Sequence, residues 1–138
     1  MDCIFCRIIN KEIPATAVYE DERVLAILDI NPIAPGHALV MPKVHSRTMI
    51  QAEESDLVAL TMAVKKLAPA VCAAAKCEGW NLRVNNGLVA GQLVDHTHWH
   101  LIPRHADDGV PRWPRGKYAE GDAAKIAAAI KANLARGG

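Results

Sequence analysis

The chain has 138 residues, of which 51% are hydrophobic and 22% charged, and its formal net charge is +1. This length accommodates one domain with a substantial core, and the mixed composition is that of a soluble globular protein. A net charge near zero argues against broad binding to nucleic acids or anionic membranes, but it leaves room for a small anionic ligand in a local pocket.

The ends and cysteines of the chain predict a cytoplasmic protein. No stretch of about 18 apolar residues is present, so we expect no membrane-spanning segment. Residues 1–7 have neither a basic start nor a long apolar run, and they do not resemble a secretory signal. In that compartment the four cysteines are expected to be thiols or metal ligands rather than disulfides.

The first part of the chain predicts a short helix followed by strands. Residues 3–10 indicate a helix or turn that ends near Pro14, and residues 31–36 form a loop rich in proline and glycine. Strands are predicted at residues 16–19, 24–28 and 37–41.

The longest helical pattern comes next. Its apolar residues recur every three or four positions and share one face: Leu57, Leu60, Val64, Leu67 and Val71. Pro69 lies inside this pattern, so we expect a kink or a break there. Cys72 and Cys77 are interpreted as packing residues on or near this helix.

The second part of the chain predicts two more strands, at residues 80–84 and 95–102. Asp122 is expected to cap a last helix at 123–135, with Gly137 and Gly138 as its stop. Because the strands lie on either side of one long helix without β-α-β alternation, the sequence predicts an α+β domain with an antiparallel sheet.

Three histidines alternate in the last predicted strand, at positions 96, 98 and 100. Residues i, i+2 and i+4 of a strand share one face, so we expect three imidazoles close together. Such a row can bind a catalytic metal ion, or one neutral imidazole can attack phosphorus while the others donate N–H groups to the phosphate oxygens. The glycine-rich segment 85–92 favours phosphate, because exposed N–H groups bind anions.

Three stretches of the chain resemble the signature of the histidine triad (HIT) family of nucleotide hydrolases and transferases. They are Cys3-Ile4-Phe5-Cys6-Arg7-Ile8-Ile9, Asp29-x-Asn31-Pro32-x2-Pro35-Gly36-His37-x-Leu39-Val40-x-Pro42-Lys43-x-His45 and Asn85-x-Gly87-x3-Gly91-Gln92-x-Val94-x-His96-x-His98-x-His100-x-Ile102-Pro103-Arg104. The cysteines resemble those of the bacterial zinc-type branch.

The resemblance covers residues 3–104 and implies a fold. We expect a HIT-like sheet of about five antiparallel strands with one long helix, a short N-terminal helix and a C-terminal helix. A single domain would span residues 1–138, with 105–138 as a variable C-terminal extension.

The resemblance also implies catalytic roles. His98 would attack the α-phosphorus of a nucleotide and form a nucleotidyl-imidazole, from which water releases a nucleoside monophosphate. The main-chain carbonyl of His96 would hold the inner ring nitrogen of this nucleophile. Further positions match residues that contact the phosphate: His37, His100, Asn85, Gly91 and Gln92.

The matched positions further define a nucleotide pocket. Asp29 corresponds to the acidic residue that accepts hydrogen bonds from the ribose hydroxyls. The apolar walls around the base would be Ile4, Phe5, Ile8, Ile30 and Leu39, for which simple core packing is the alternative.

Cys3, Cys6, His45 and His96 resemble the zinc site of many bacterial members. Two cysteines at C-x2-C spacing and two distant histidines are an accepted structural zinc set. A thioredoxin-like redox pair would follow a strand, and none precedes Cys3. We therefore expect structural Zn²⁺ and no organic cofactor, and a metal ion on the triad itself is disfavoured.

One residue departs from the family pattern. Leu93 stands where phosphoramidase-type members carry Ser or Thr, and it cannot donate a proton to the leaving group. We therefore expect inefficient cleavage of poorly activated amine leaving groups, while phosphoanhydrides and acyl-adenylates remain possible substrates because their leaving groups depart more readily.

The predicted function is a hydrolase or nucleotidyl transferase acting at the α-phosphate of purine nucleotide conjugates: adenosine phosphoramidates, dinucleoside polyphosphates or aminoacyl-adenylates. The alternative is a purine nucleotide-binding regulatory module with little turnover. The resemblance also implies a homodimer whose interface contains the long helix and a sheet edge. Residues 113–115 and the last helix are expected near the neighbour's pocket, and no nucleic acid or membrane partner is predicted.

Overall fold

The computed structural model describes residues 2–137, which contain a five-stranded antiparallel sheet and three α-helices. The predicted α+β class is confirmed. The strands are β1 (Ala17–Glu20), β2 (Val24–Leu28), β3 (Ala38–Pro42), β4 (Gly79–Val84) and β5 (Trp99–Arg104), and the helices are α1 (Ile4–Ile9), α2 (Glu54–Ala75) and α3 (Asp122–Gly137). The strand order is β1-β2-β3-β5-β4.

Two compact units divide the chain, one ending at Asp108 and the other beginning at Gly109. The first unit contains the sheet, α1 and α2, and the second contains α3. The α3 helix continues through Gly137, so the expected stop at that glycine is wrong, and Gly138 lies outside the described residues.

The central strands are buried on both faces of the sheet. Alternate side chains of β2 and β3 pack against α2, whereas the others pack against α1, because successive residues of a strand point in opposite directions. The α2 side contains Val24, Ala26, Ala38, Val40, Trp99 and Leu101. The α1 side contains Phe5, Ile8, Leu25, Ile27, Leu39 and Met41.

The α2 helix buries its predicted apolar stripe. Leu60, Val64, Leu67 and Val71 are buried and Leu57 is partly buried. The helix continues through Pro69, so a break at this residue is wrong. Because Pro69 is exposed, the main-chain carbonyl that loses its partner there can bind water. By length and composition alone, α2 could also cross a membrane.

Cys72 and Cys77 form a disulfide at the C-terminal end of α2. Lys76 adopts the left-handed conformation (φ 53°), and the N–H of Cys77 then donates to the carbonyl of Cys72 at 3.1 Å. The expectation that the cysteines are thiols or metal ligands is therefore wrong for this pair, whereas Cys3 and Cys6 are free.

The fifth strand begins four residues later than predicted. The N–H of Thr97 donates to the carbonyl of Ser46 at 2.7 Å, and the hydroxyls of these two residues are 2.8 Å apart. This pairing keeps residues 95–98 out of the ladder. His96 and His98 therefore precede β5, and His100 alone of the three lies within it.

Candidate active site

The ring of His98 is held by the backbone of its own segment. Its Nδ1 lies 2.6 Å from the main-chain oxygen of His96. A carbonyl oxygen can only accept, so Nδ1 donates its hydrogen and Nε2 of the neutral ring has a lone pair. Burial lowers the pKa of His98 below 6.5, although the bond to the His96 carbonyl raises it. This ring therefore has the nucleophilic tautomer at neutral pH.

A second set of hydrogen bonds fixes the tautomers of His37 and His100. The N–H of Ile33 donates to Nδ1 of His37 at 3.0 Å, so the hydrogen of neutral His37 is on Nε2. This Nε2 lies 2.9 Å from Nδ1 of His100 and donates to it. Nε2 of His100 then carries a hydrogen that is available to a ligand.

Both of these rings are neutral near pH 7. Burial, followed by the charges of His98 and His37, lowers the pKa of His100 to about 4. Burial also lowers the pKa of His37, although the Asp29 carboxylate raises it. His100 can therefore act as a hydrogen-bond donor without being a cation.

The three triad rings do not lie in one row on a strand. His98 and His100 are neighbours, with ring centroids 5.1 Å apart, and the edge of Phe5 packs 5.0 Å from His98. His96 is completely buried, and its ring instead packs 5.0 Å from His45. The prediction that all three histidines belong to one strand is wrong, because His96 and His98 precede β5, although the Phe5 ring packs against His96 as well, at 5.9 Å.

His96 belongs to a cluster of metal-ligating atoms. Its Nε2 donates to the main-chain oxygen of Pro42 at 2.8 Å, so its Nδ1 has the lone pair. This Nδ1 lies 3.5 Å from Sγ of Cys3, 3.6 Å from Sγ of Cys6 and 3.2 Å from Nδ1 of His45. Nδ1 of His45 is 3.4 Å from Sγ of Cys6.

These distances fit a tetrahedral zinc site. With Zn–S near 2.3 Å and Zn–N near 2.05 Å, a tetrahedron has N–S edges of about 3.6 Å and an N–N edge of about 3.3 Å. The four donor atoms all lie within 4.8 Å of one another. The structure therefore brings together the four side chains predicted as ligands, at spacings that a zinc ion could bridge.

The short helix α1 supplies the two cysteines. Cys3 is its N-cap, and Sγ of Cys3 accepts a hydrogen bond from the N–H of Cys6 at 3.5 Å. Burial, followed by the nearby Cys3, raises the pKa of the Cys6 thiol. A divalent cation would reverse this effect, because it stabilises thiolates.

A second group of potential ligands lies beside the triad. Oδ2 of Asp29 is 3.5 Å from Nε2 of His37, and the group is completed by His100. Since Nε2 of His37 carries the hydrogen that bonds to His100, it has no lone pair for a metal ion. The three side chains form a hydrogen-bonded group, in which Oδ1 of Asp29 also accepts from the N–H of Asn31 at 2.9 Å.

The predicted apolar walls separate into two sets. Phe5, Ile8 and Leu39 are buried in the cluster between α1 and the sheet, and Leu39 pairs with His100 across β3 and β5. Ile4 and Ile30 are instead 49% and 91% exposed. Only the second set lies at the surface, where a base could contact it.

The glycine-rich loop is organised by Gln92. Its amide group donates to the carbonyls of Arg47 at 2.6 Å and Val94 at 3.0 Å, and its oxygen accepts from the N–H of Gly87 at 2.8 Å. Gln92 is 3% exposed, so contact with a phosphate would require one of these bonds to break. Nδ2 of Asn85 is 3.4 Å from the carbonyl of Gly91.

An open cavity of about 720 Å³ lies between α1 and this loop. Leu93 projects into it and is 84% exposed. The cavity is lined in addition by Ile4, His45, Arg47, Leu88 and Gln92. The position that would carry a hydroxyl in phosphoramidase-type sequences is therefore an accessible apolar side chain.

Arg83 was not predicted from the sequence as a residue of this site. Trp80 and Leu82 of β4 line a groove with residues of α2, so the alternating Arg83 points to the opposite face, where His100 lies. Arg83 is paired with His100 across β4 and β5. Alternation within residues 80–84 indicates its face, but the register with β5 cannot be read from sequence.

Comparison with known families shows what the chain is similar to. The HIT domain family matches residues 10–107. An uncharacterised HIT-like protein of Methanocaldococcus jannaschii is 50% identical over 107 residues, which are 78% of this chain and 82% of that protein.

Two relatives have names that state an activity. The adenylylsulfatase HINT3 of Arabidopsis thaliana is 43% identical over 78% of this chain and 54% of its own length. An adenosine 5'-monophosphoramidase of Schizosaccharomyces pombe is 38% identical over 83% of this chain and 86% of its own length.

Solved structures share the fold. A Streptococcus mutans protein superposes with a TM-score of 0.90 at 38% identity, over 96% of this chain and 85% of that one. A zinc-bound histidine triad family protein of Mycobacterium smegmatis gives a TM-score of 0.77 at 31% identity, over 100% of this chain and 99% of that one.

Proposed function

Since the chain belongs to the HIT domain family, we propose that it is a nucleotide hydrolase or nucleotidyl transferase that cleaves purine nucleotide conjugates at the α-phosphate. His98 is the nucleophile, and a nucleotidyl-histidine is the intermediate. The observation that carries this proposal is the 2.6 Å hydrogen bond from Nδ1 of His98 to the carbonyl of His96, because it leaves the lone pair on Nε2.

The reaction proceeds in two displacements. Nε2 of His98 forms a bond to the α-phosphorus, and the bond from phosphorus to the leaving group breaks, with its electron pair going to the leaving group. The ring then carries a positive charge, which the His96 carbonyl stabilises through Nδ1–H. Water next attacks phosphorus and loses one proton to solvent, while the bond from phosphorus to Nε2 breaks with its electron pair returning to Nε2. The nucleoside monophosphate is released and the His98 ring is again neutral.

Side chains around His98 stabilise the charge that develops on the phosphoryl oxygens. Nε2–H of His100 supplies a donor, and His37 keeps it in the donating tautomer. Asp29 lies 3.5 Å from Nε2 of His37, and its carboxylate binds the ribose hydroxyls. Ile4 and Ile30 are exposed at the surface and contact the purine base.

The leaving group is an oxyanion or a carboxylate more readily than an amine. An amine must be protonated as it departs, and Leu93 has no proton to give. A sulfate, phosphate or carboxylate departs without one. The relative named as an adenylylsulfatase supports this class, whereas the relative named as an adenosine 5'-monophosphoramidase supports hydrolysis of phosphoramidates as well.

A structural zinc ion is part of the proposal and places the chain in the zinc-type branch of the family. Cys3, Cys6, His45 and His96 would hold it, as the tetrahedral spacing of their donor atoms supports. When bound, zinc would cross-link α1 to the segment that carries His98. The zinc-bound relative from M. smegmatis supports this assignment.

We also propose a homodimer in the cytoplasm. β4 is an edge strand of the sheet, and Trp80 and Leu82 on its α2 side are each 43% exposed. A second copy would cover this edge and the neighbouring groove of α2. Sedimentation should show a dimer that Leu82→Glu dissociates, and a monomeric parent protein would contradict the assembly.

Turnover by the protein and by His98→Asn tests the proposed activity. AMP release should be measured with adenosine 5'-phosphosulfate and adenosine 5'-phosphoramidate. Loss of the nucleophile should lower kcat by about 10³-fold or more, while nucleotide affinity remains. His105→Asn is the matched control, because His105 bonds to Ala75 rather than to the triad.

The alternative regulatory module makes a different prediction. If the parent protein binds AMP but releases none from either conjugate, the enzyme proposal is wrong and a binding role is supported. If His98→Asn retains the parent rate, the protein is an enzyme but His98 is not its nucleophile.

A further inference from the structure

We propose that Arg83 binds an oxyanion on the leaving group, so that this chain selects nucleotide conjugates whose leaving group is a phosphate or sulfate. This inference rests on the proposed function, because it assigns the leaving-group side of the same site.

The fold of the edge strand places Arg83 on the catalytic face. The alternate residues Trp80 and Leu82 face α2, so the Arg83 side chain leaves the sheet on the side that carries His100. Arg83 and His100 are direct partners in the register of β4 and β5. Side chains at such paired positions have Cβ atoms about 4.5–5.5 Å apart.

The guanidinium adds a fixed positive charge beside two neutral imidazoles. The charge of Arg83 contributes to the lowered pKa of both His37 and His100, in keeping with its pairing with His100 across β4 and β5. Arg83 is half-buried, so it can contact a ligand while remaining partly shielded from water. Its forked donors match the oxygen geometry of phosphate and sulfate.

Leu93 provides an independent reason for an anionic leaving group. It is accessible and has no acidic hydrogen, so the chain offers no proton donor where phosphoramidase-type sequences carry one. When a phosphate or sulfate leaves, the P–O bond breaks and the departing oxygen keeps the electron pair as an anion. An arginine stabilises that anion without transferring a proton.

An affinity measurement tests this assignment without turnover. In the His98→Asn background, calorimetry at pH 8 should compare AMP with adenosine 5'-phosphosulfate, since each carries about two negative charges at that pH. Arg83→Gln should lower the preference for the sulfate conjugate about tenfold, the effect of losing one charge-assisted hydrogen bond. Arg83→Lys should retain part of this preference.

Arg7→Gln is the charge-matched control, because Arg7 is exposed and forms only a surface pair with Glu12 in the described part of the chain. It should leave the affinity ratio within about twofold, in keeping with the small energies of surface pairs. If Arg83→Gln lowers both affinities equally, or leaves the ratio unchanged, Arg83 does not read the leaving group and the inference fails.

Kinetics with His98 present separate this inference from the function on which it rests. Arg83→Gln should lower the ratio of kcat/KM for the phosphosulfate over the phosphoramidate about tenfold. If Arg83→Gln turns over both substrates with an unchanged ratio, only the role of Arg83 is refuted and the proposed function still holds. Absence of turnover in the parent protein refutes the proposed function, while the affinity ratio still decides whether Arg83 binds the oxyanion.

Discussion

Acidification should destabilise the protein through His100. The pKa of His100 is about 4 in the folded chain, chiefly because of burial, against an ordinary value of 6.5 when unfolded. The unfolded chain therefore binds more protons between these values, so stability is fully present above pH 6.5 and is lost as the pH falls towards 4. This direction follows from the neutral, hydrogen-bonded state of the ring.

The size of the effect follows from the same two pKa values. These pKa values predict that the free energy of unfolding falls by about 1.8 kcal/mol between pH 7 and pH 5. Solvent screening of a partly exposed ring lowers this loss to about 1 kcal/mol. His100→Gln removes this contribution while leaving the other buried histidines in place. The variant should therefore lose about 1 kcal/mol less stability than the parent over the same interval.

Urea unfolding at pH 7, 6 and 5 measures this difference directly. Both proteins should be prepared with the same zinc content, so that acid release of the metal ion affects them equally. If the two proteins lose the same free energy of unfolding between pH 7 and pH 5, His100 is not held neutral by its surroundings. The assignment of His100 as a neutral donor would then be wrong.

Three further substitutions test the metal cluster, the core and one turn. Cys6→Ser should abolish the retention of one zinc ion per chain after dialysis, measured by atomic absorption, and a parent protein without zinc would contradict the site. Leu60→Ala should cost about 2–5 kcal/mol in urea unfolding because Leu60 is fully buried, whereas Leu134→Ala, 69% exposed, should cost under about 0.5 kcal/mol. Gly36→Ala should destabilise the protein more than Gly87→Ala. Both glycines have a positive φ, but of the two only Gly36 has a neighbour that an added Cβ would meet, Cγ of Pro103 at 3.3 Å. Equal losses of stability would exclude that contact as the cause.

The periodicity of apolar residues was sufficient to predict the helix and strand that pack against each other. The second strand was predicted at its observed bounds, residues 24–28, and the α2 stripe was predicted because burial imposes a helical spacing on apolar residues. The break expected at Pro69 is wrong, because Pro69 is exposed and the carbonyl that loses its partner there can bind water. The general cost of a proline inside a helix does not take into account whether that position faces solvent.

The start of β5 could not be predicted from alternation. The histidines at 96, 98 and 100 alternate as strand residues do, but the backbone of Thr97 pairs with Ser46, which is distant in sequence. The ring of His96 therefore lies beside Cys3, Cys6 and His45. Hydrogen-bond partners of this kind depend on tertiary structure, which periodicity does not report.

The cluster of Cys3, Cys6, His45 and His96 was predicted through family resemblance, whereas Arg83 and the disulfide were not. Pairing of Arg83 with His100 depends on the register of β4 and β5. Pairing of Cys72 with Cys77 depends on the left-handed conformation of Lys76, which cannot be predicted from the presence of a lysine. In both cases the decisive feature is a backbone geometry rather than a residue type.

Intact-mass spectrometry during turnover tests the central claim most directly. The protein should be mixed with adenosine 5'-phosphosulfate and quenched at alkaline pH, where a phosphorus–nitrogen bond to histidine survives. We expect a transient adenylyl adduct that maps to His98 and is absent from His98→Asn. Steady AMP release with no adduct on His98, or an adduct that persists in His98→Asn, would contradict a nucleotidyl-His98 intermediate.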